Sequence, residues 1–145
     1  MTKIRLTARY SFAAAHRLHT PALTAEENRR LYGKCNNPYG HGHDYVLEVS
    51  VEGHVAEDGQ VVRREELDAL VAEHVLALID HKDLNRDVAG FEGRVTTTEN
   101  LAEVLRSQLE RHWTLTPRLA GLRISETPRN TFSWRVSAGG RGLLT

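Results

Sequence analysis

A single cysteine, Cys35, is present in 145 residues, so no intrachain disulfide can staple the fold. Excess charge of either sign is also missing: Lys plus Arg and Asp plus Glu both number 19. So balanced a chain has no basic stripe to track a phosphate backbone, and nucleic-acid binding loses its compositional support. Long hydrophobic runs are absent. The segment Met1 to Tyr10 alternates charged and apolar residues instead of forming the apolar core of a signal peptide, and no later stretch approaches a membrane span. A cytoplasmic protein without membrane contact is the expectation. No repeat or low-complexity linker divides the chain, and 40% hydrophobic with 26% charged residues suits one folded domain, residues 1–145.

What is present is clear periodicity. From Lys3 to Leu18, the residues Ile4, Leu6, Tyr10, Phe12 and His16 fall on even positions, which predicts a strand. Thr20 to Pro38 reads as a long polar loop with one helical turn around Ala25 to Leu31. A second strand is predicted over His41 to Gly53. His41, His43, Tyr45, Leu47, Val49 and Val51 share its odd face, and Asp44, Glu48, Ser50 and Glu52 its wet face. The period then changes. Leu67, Leu70, Val71, Val75 and Leu78 predict an amphipathic helix over Glu65 to Leu78. Leu101, Val104, Leu105 and Leu109 predict another over Glu99 to Trp113, with Thr96 as N-cap and Glu99 completing a capping box. Strands over Leu119 to Ser125 and Thr131 to Ala138 follow, the last with Phe132, Trp134 and Val136 on one face and ended by Gly139-Gly140. The order ββααββ predicts an α+β fold, a four-stranded antiparallel sheet covered on one face by two helices.

The chemistry concentrates in His41-Gly42-His43. On a strand, residues two apart point the same way, so both imidazoles reach one metal, and Gly42 between them keeps the opposite face uncrowded. His16 ends the buried face of the first strand, where an uncompensated polar ring costs free energy. If the two strands pair, three neutral imidazoles meet and leave one tetrahedral position open, as catalytic zinc requires. The plainer alternative is a hydrogen-bonded core His16 with two solvated partners. His19, His54, His74 and His112 lack partners at ligand spacing. Cys35 lies in the turn-rich segment entering the second strand. Spacing leaves it equally suited to be a fourth ligand or an unligated thiol beside a dication. Asp80-His81 follows the first helix, where a His facing the helix dipole is the simpler reading. Glu126 sits at a strand end, where a carboxylate either grips an amidine-like edge or is solvated.

Five ordered motifs resemble the 6-pyruvoyl-tetrahydropterin synthase family. They are Ser11-Phe12-Ala13-Ala14-Ala15-His16-Arg17-Leu18-His19, Leu31 to His43 with Cys35 inside it, Asp80-His81-Lys82-Asp83-Leu84-Asn85, Thr97-Thr98-Glu99-Asn100 and Ser125-Glu126-Thr127. The resemblance spans about Ile4 to Val136. It implies a tunnelling fold, a homohexamer of two stacked trimers with sites between subunits, and one zinc per subunit held by His16, His41 and His43. It implies a lyase that converts 7,8-dihydroneopterin triphosphate to 6-pyruvoyl-tetrahydropterin, eliminating triphosphate without an external redox cofactor. Cys35 is then the proton-abstracting thiolate and Asp80 with His81 the partnering acid–base pair. Glu126 anchors the pterin ring, helped by Thr97, Thr98 and Glu99. Departures are Asp44 where the family usually has Asn, Arg63 at the first helix start, and Pro128-Arg129 after the pterin-binding Glu. Arg17 and Lys34 are triphosphate candidates only by nearness in sequence. A sister enzyme, 6-carboxytetrahydropterin synthase, expels acetaldehyde as well. Its Cys-to-His gap is typically three residues, whereas Asn36 to Gly40 here make five. A non-catalytic zinc module with Cys35 as fourth ligand is the rival of another class.

Overall fold

The computed structural model describes residues 2–136 and 142–144. In chain order the elements are β1 (Ile4–His16), α1 (Ala25–Tyr32), a 3-10 turn (Gly33–Asn36), β2 (His41–Gly53) and α2 (Arg64–Val71). A π turn (Ala72–Leu76) leads from α2 into α3 (Ala77–Ile79), and β3 (Lys82–Asp83), α4 (Thr98–His112), β4 (Arg118–Thr127), β5 (Asn130–Val136) and β6 (Gly142–Leu144) follow. The sheet order is β3-β1-β2-β4-β5-β6. The fold is α+β, and β1, β2, β4 and β5 pair antiparallel, in line with the alternation of their side chains. The sheet is not the expected four-stranded antiparallel one, however: it is mixed and has six strands among the described residues. Short β3 lies parallel beside β1, because the chain leaves α3 alongside β1 and bonds His81 N–H and Leu84 N–H to the carbonyls of Ala13 and Ala15. The fourth expected strand is described as far as Val136, and its expected end at Ala138 and Gly139-Gly140 lies outside the described residues.

Helix and sheet share one core. Leu67, Leu70 and Val71 of α2 and Leu101, Leu105 and Leu109 of α4 join the buried faces of β1, β2 and β4. Leu47, Val49 and Val51 are fully buried, and each such side chain contributes roughly 1.5–3 kcal/mol. Phe12 stacks on its cross-strand partner Tyr45 with ring centroids 4.8 Å apart. The other sheet face is polar, with Arg5 and Arg118 both paired to Glu52.

Three local features depart from the periodicity. The π turn adds a residue to one helical turn and rotates the face that follows, so Ile79 is buried where the pattern pointed to Leu78, which is exposed. The N-cap of α4 is Thr97, not Thr96: its hydroxyl accepts the Asn100 N–H. The single turn expected near Ala25 is an eight-residue helix, opened by a capping box in which Thr24 and Glu27 each accept the other's backbone N–H.

Candidate metal centre

Pairing of β1 with β2 sets His16 directly opposite His41 and Ala14 opposite His43. Residues two apart on β2 share a face, so the three imidazoles converge, with centroids 5.5 Å (His16–His41), 5.0 Å (His16–His43) and 4.5 Å (His41–His43) apart. His16 is 1% exposed. Its Nδ1–H donates to the Thr96 carbonyl at 2.8 Å, which fixes the proton on Nδ1 and leaves the Nε2 lone pair facing its neighbours. The Nε2 atoms of His16, His41 and His43 are all buried without a hydrogen-bond partner. Buried polar atoms are ordinarily hydrogen-bonded, so three convergent nitrogens without a hydrogen bond, with only the Glu126 carboxylate beside them, fit a cation site. Burial pushes the pKa of His16 and His41 below the usual 6.5, which keeps both in the neutral form a metal needs. Donor atoms of His16, Cys35, His41 and His43 lie within 4.8 Å of one another. A three-histidine site with an adjacent thiol and a four-donor site both satisfy that spacing. The donor set of borderline and soft ligands suits zinc.

Cys35 is carried by the 3-10 turn after α1. The turn is tied to the end of β1 by Leu18 N–H donating to the Cys35 carbonyl at 2.7 Å and by the Asn36 side-chain amide donating to the Leu18 carbonyl at 2.6 Å. Burial, then the Glu126 carboxylate, raises the Cys35 pKa above the ordinary thiol value. At Gly40 a Cβ would come 3.0 Å from the His16 carbonyl oxygen and φ is +75°, so glycine is required there. At Gly42, where uncrowding was expected, a Cβ would meet only the Ala14 carbonyl oxygen at 3.7 Å, an ordinary contact.

Glu126 enters the same centre. The ladder between β4 and β5 shifts register between Ser125 and Thr127, and such bulges re-aim a side chain. Oε1 lies 2.9 Å from His43 Nε2 and 3.6 Å from His16 Nε2, and Oε2 accepts the Thr98 hydroxyl at 3.0 Å. Thr97 spends its hydroxyl on the helix cap, and Glu99 is exposed in the first turn of α4. Tyr45 buries its hydroxyl without a hydrogen-bond partner, and burial followed by the charges of Glu126 and Cys35 raises its pKa.

Asp80 and His81, just before β3, bond the edge of β1 that faces away from β2. Asp80 Oδ1 accepts the Ala13 N–H at 3.0 Å and lies 3.0 Å from His81 Nδ1, and the His81 N–H donates to the Ala13 carbonyl at 2.6 Å. His81 adopts φ +60°, a left-handed conformation costing about 1–3 kcal/mol that these bonds hold in place. Its ring is 82% exposed. A cavity of about 540 Å³ adjoins both His81 and His43. Of the remaining histidines, His74 and His112 stack flat at 3.9 Å and His19 abuts the Asn36 amide.

Sequence reasoning missed two buried asparagines that fix the connection between β1 and β2. Fully buried Asn28 accepts the Thr20 N–H and donates to the carbonyls of Thr20, Leu23 and Thr24, closing the loop before α1. Asn36 beside Cys35 carried a signal in its turn-rich setting, whereas Asn28, between charged neighbours, carried none.

A family model described as 6-pyruvoyl tetrahydropterin synthase matches residues 5–136. A 6-pyruvoyl tetrahydrobiopterin synthase of Poecilia reticulata is 42% identical over 132 residues, covering 90% of this chain and 88% of the relative. That of Drosophila melanogaster is 39% identical over 131 residues, covering 90% and 78%. The solved 6-pyruvoyl tetrahydropterin synthase of Caenorhabditis elegans superposes with a TM-score of 0.85 at 36% identity, covering 94% of this chain and 98% of that one. The chain belongs to the 6-pyruvoyl tetrahydropterin synthase family, a family of lyases.

Proposed function

We propose that this protein is a zinc-dependent lyase that converts 7,8-dihydroneopterin triphosphate to 6-pyruvoyl-tetrahydropterin with elimination of triphosphate. The observation that carries the reading is the convergence of three buried imidazole nitrogens that make no hydrogen bond, beside Cys35 and the Glu126 carboxylate. His16, His41 and His43 hold the metal, one ion per chain. When bound, zinc supplies a Lewis acid for the substrate's side-chain oxygens and a positive charge that favours the Cys35 thiolate. Cys35 takes a proton from the substrate side chain. Glu126, braced by Thr98, accepts N–H bonds from the aminopyrimidine edge of the pterin and fixes its orientation. Thr97 and Glu99 flank that edge from the start of α4. Asp80 holds His81 with its proton on Nδ1, which leaves Nε2 to receive or return a second proton. The exposure of His81 supports a site completed between copies of the chain in a homohexamer.

Product analysis tests this. Zinc-loaded protein incubated with 7,8-dihydroneopterin triphosphate is expected to yield 6-pyruvoyl-tetrahydropterin and triphosphate without acetaldehyde. The five-residue span between Cys35 and His41 supports that product. Acetaldehyde release would assign the 6-carboxy activity instead, and no turnover together with a thiol inert while zinc is bound would assign a structural module.

A further inference from the structure

Around the backbone that follows His16, one surface side chain gathers three segments. The Asn85 amide bonds both backbone groups of Arg17: Oδ1 accepts the Arg17 N–H at 2.8 Å and Nδ2 donates to the Arg17 carbonyl at 3.0 Å. It thereby continues the parallel β1–β3 ladder past its last backbone bond, from Leu84 N–H to the Ala15 carbonyl. Its own position is fixed, since the Asn85 N–H donates to Asp83 Oδ1 at 2.9 Å. The third segment is the entry to α4. The Thr96 hydroxyl has Asn85 Oδ1 at 3.3 Å and the Arg17 carbonyl at 3.4 Å as acceptors, and the Thr96 carbonyl receives the His16 Nδ1–H at 2.8 Å.

We propose that Asn85 is a positioning residue for His16, locking the backbone that follows the ligand and, through Thr96, the carbonyl that sets the ring's proton and angle. The inference rests on His16 being a metal ligand. Partners that orient a ligating histidine typically account for 10–100-fold in metal affinity; the Thr96 carbonyl is that partner here, and Asn85 bonds the Thr96 hydroxyl and the Arg17 backbone. Asn85 makes no direct contact with the three imidazoles' unpaired nitrogens, so its effect passes through positioning alone.

The test measures zinc affinity by chelator competition and the visible absorption of the cobalt-substituted protein, using intact wild-type, Asn85→Ala and Thr96→Val chains. Thr96→Val keeps the carbonyl and the shape but removes the hydroxyl link. Leu119→Ala, a core truncation at the other end of β4, serves as a stability control. Asn85→Ala is expected to weaken zinc binding by about tenfold, the low end of what a direct partner of the ligand supplies, and to shift the cobalt spectrum. Thr96→Val should act in the same direction and more weakly, and Leu119→Ala should lower the melting temperature with affinity unchanged. Wild-type affinity and spectrum in Asn85→Ala would overturn the proposal. If that variant does not fold, unchanged affinity in Thr96→Val overturns it and weakened affinity sustains it. Failure of the wild-type chain itself to bind zinc would instead sink the metal reading on which the inference stands.

Discussion

Ala13 and Asp80 are joined by a backbone-to-carboxylate bond, Ala13 N–H to Asp80 Oδ1 at 3.0 Å, three residues before His16 on the same strand. β1 therefore carries a candidate metal ligand at its end and, three residues earlier, the anchor of the Asp80–His81 pair proposed to move a proton. The same oxygen faces His81 Nδ1, so the carboxylate does double service.

Asp80→Asn weakens both acceptor interactions of that oxygen and permits the other His81 tautomer. Turnover is expected to fall about 10²–10⁴-fold while zinc content stays at the wild-type level. Steady-state kinetics alongside metal analysis read both quantities, and wild-type turnover would remove the pair from the proton path.

The metal-free protein should lose stability in acid. Burial lowers the His16 and His41 pKa from the ordinary 6.5. Below that value the unfolded chain takes up protons that the folded chain resists, so stability falls as pH drops through about 6.5 and these two groups contribute no slope well above it. Urea midpoints of the zinc-free chain, measured from about pH 8 down to about pH 5, check the sign. His16→Phe should flatten part of the slope. A midpoint that rises on acidification contradicts the burial argument.

Tyr45→Phe removes a buried hydroxyl that has no hydrogen-bond partner. The metal-free protein is expected to gain up to about 1 kcal/mol, because the desolvated O–H no longer costs free energy. Denaturant titration would show it, and a loss of stability would mean that the hydroxyl is satisfied in solution.

Thr97→Ala should cost about 1 kcal/mol through loss of the α4 cap. Thermal unfolding measures it. An unchanged midpoint would return the cap to another residue.

The three threonines at the start of α4 show what a sequence reveals and what it hides. The four long strands and the two main helices were legible because alternation and the helical repeat follow directly from which side must be buried. So was the prospect that His16 meets His41 and His43 if the strands pair, though the register that sets His16 opposite His41 belongs to the pair. The cap slipped by one residue because Thr96, Thr97 and Thr98 offer the same hydroxyl to a local pattern. Tertiary contacts separate them: the Thr96 carbonyl receives the His16 ring and the Thr98 hydroxyl donates to Glu126, which leaves Thr97 to cap the helix. β3 escaped notice because two residues carry no period; their strand character comes from the docked edge of β1. The inward aim of Glu126 depends on a register shift, and registers belong to pairs of strands rather than to one segment. The roles of Asp80, His81 and Cys35 came from resemblance, since their spacing alone admitted simpler readings.

The central claim is that three histidines hold the zinc while Cys35 works beside it as a thiol. The most direct measurement is the zinc content and turnover of Cys35→Ala, prepared as the full chain. Zinc retained at the wild-type stoichiometry with turnover abolished is the predicted result. Loss of zinc on removing the thiol would make Cys35 a ligand and contradict the account.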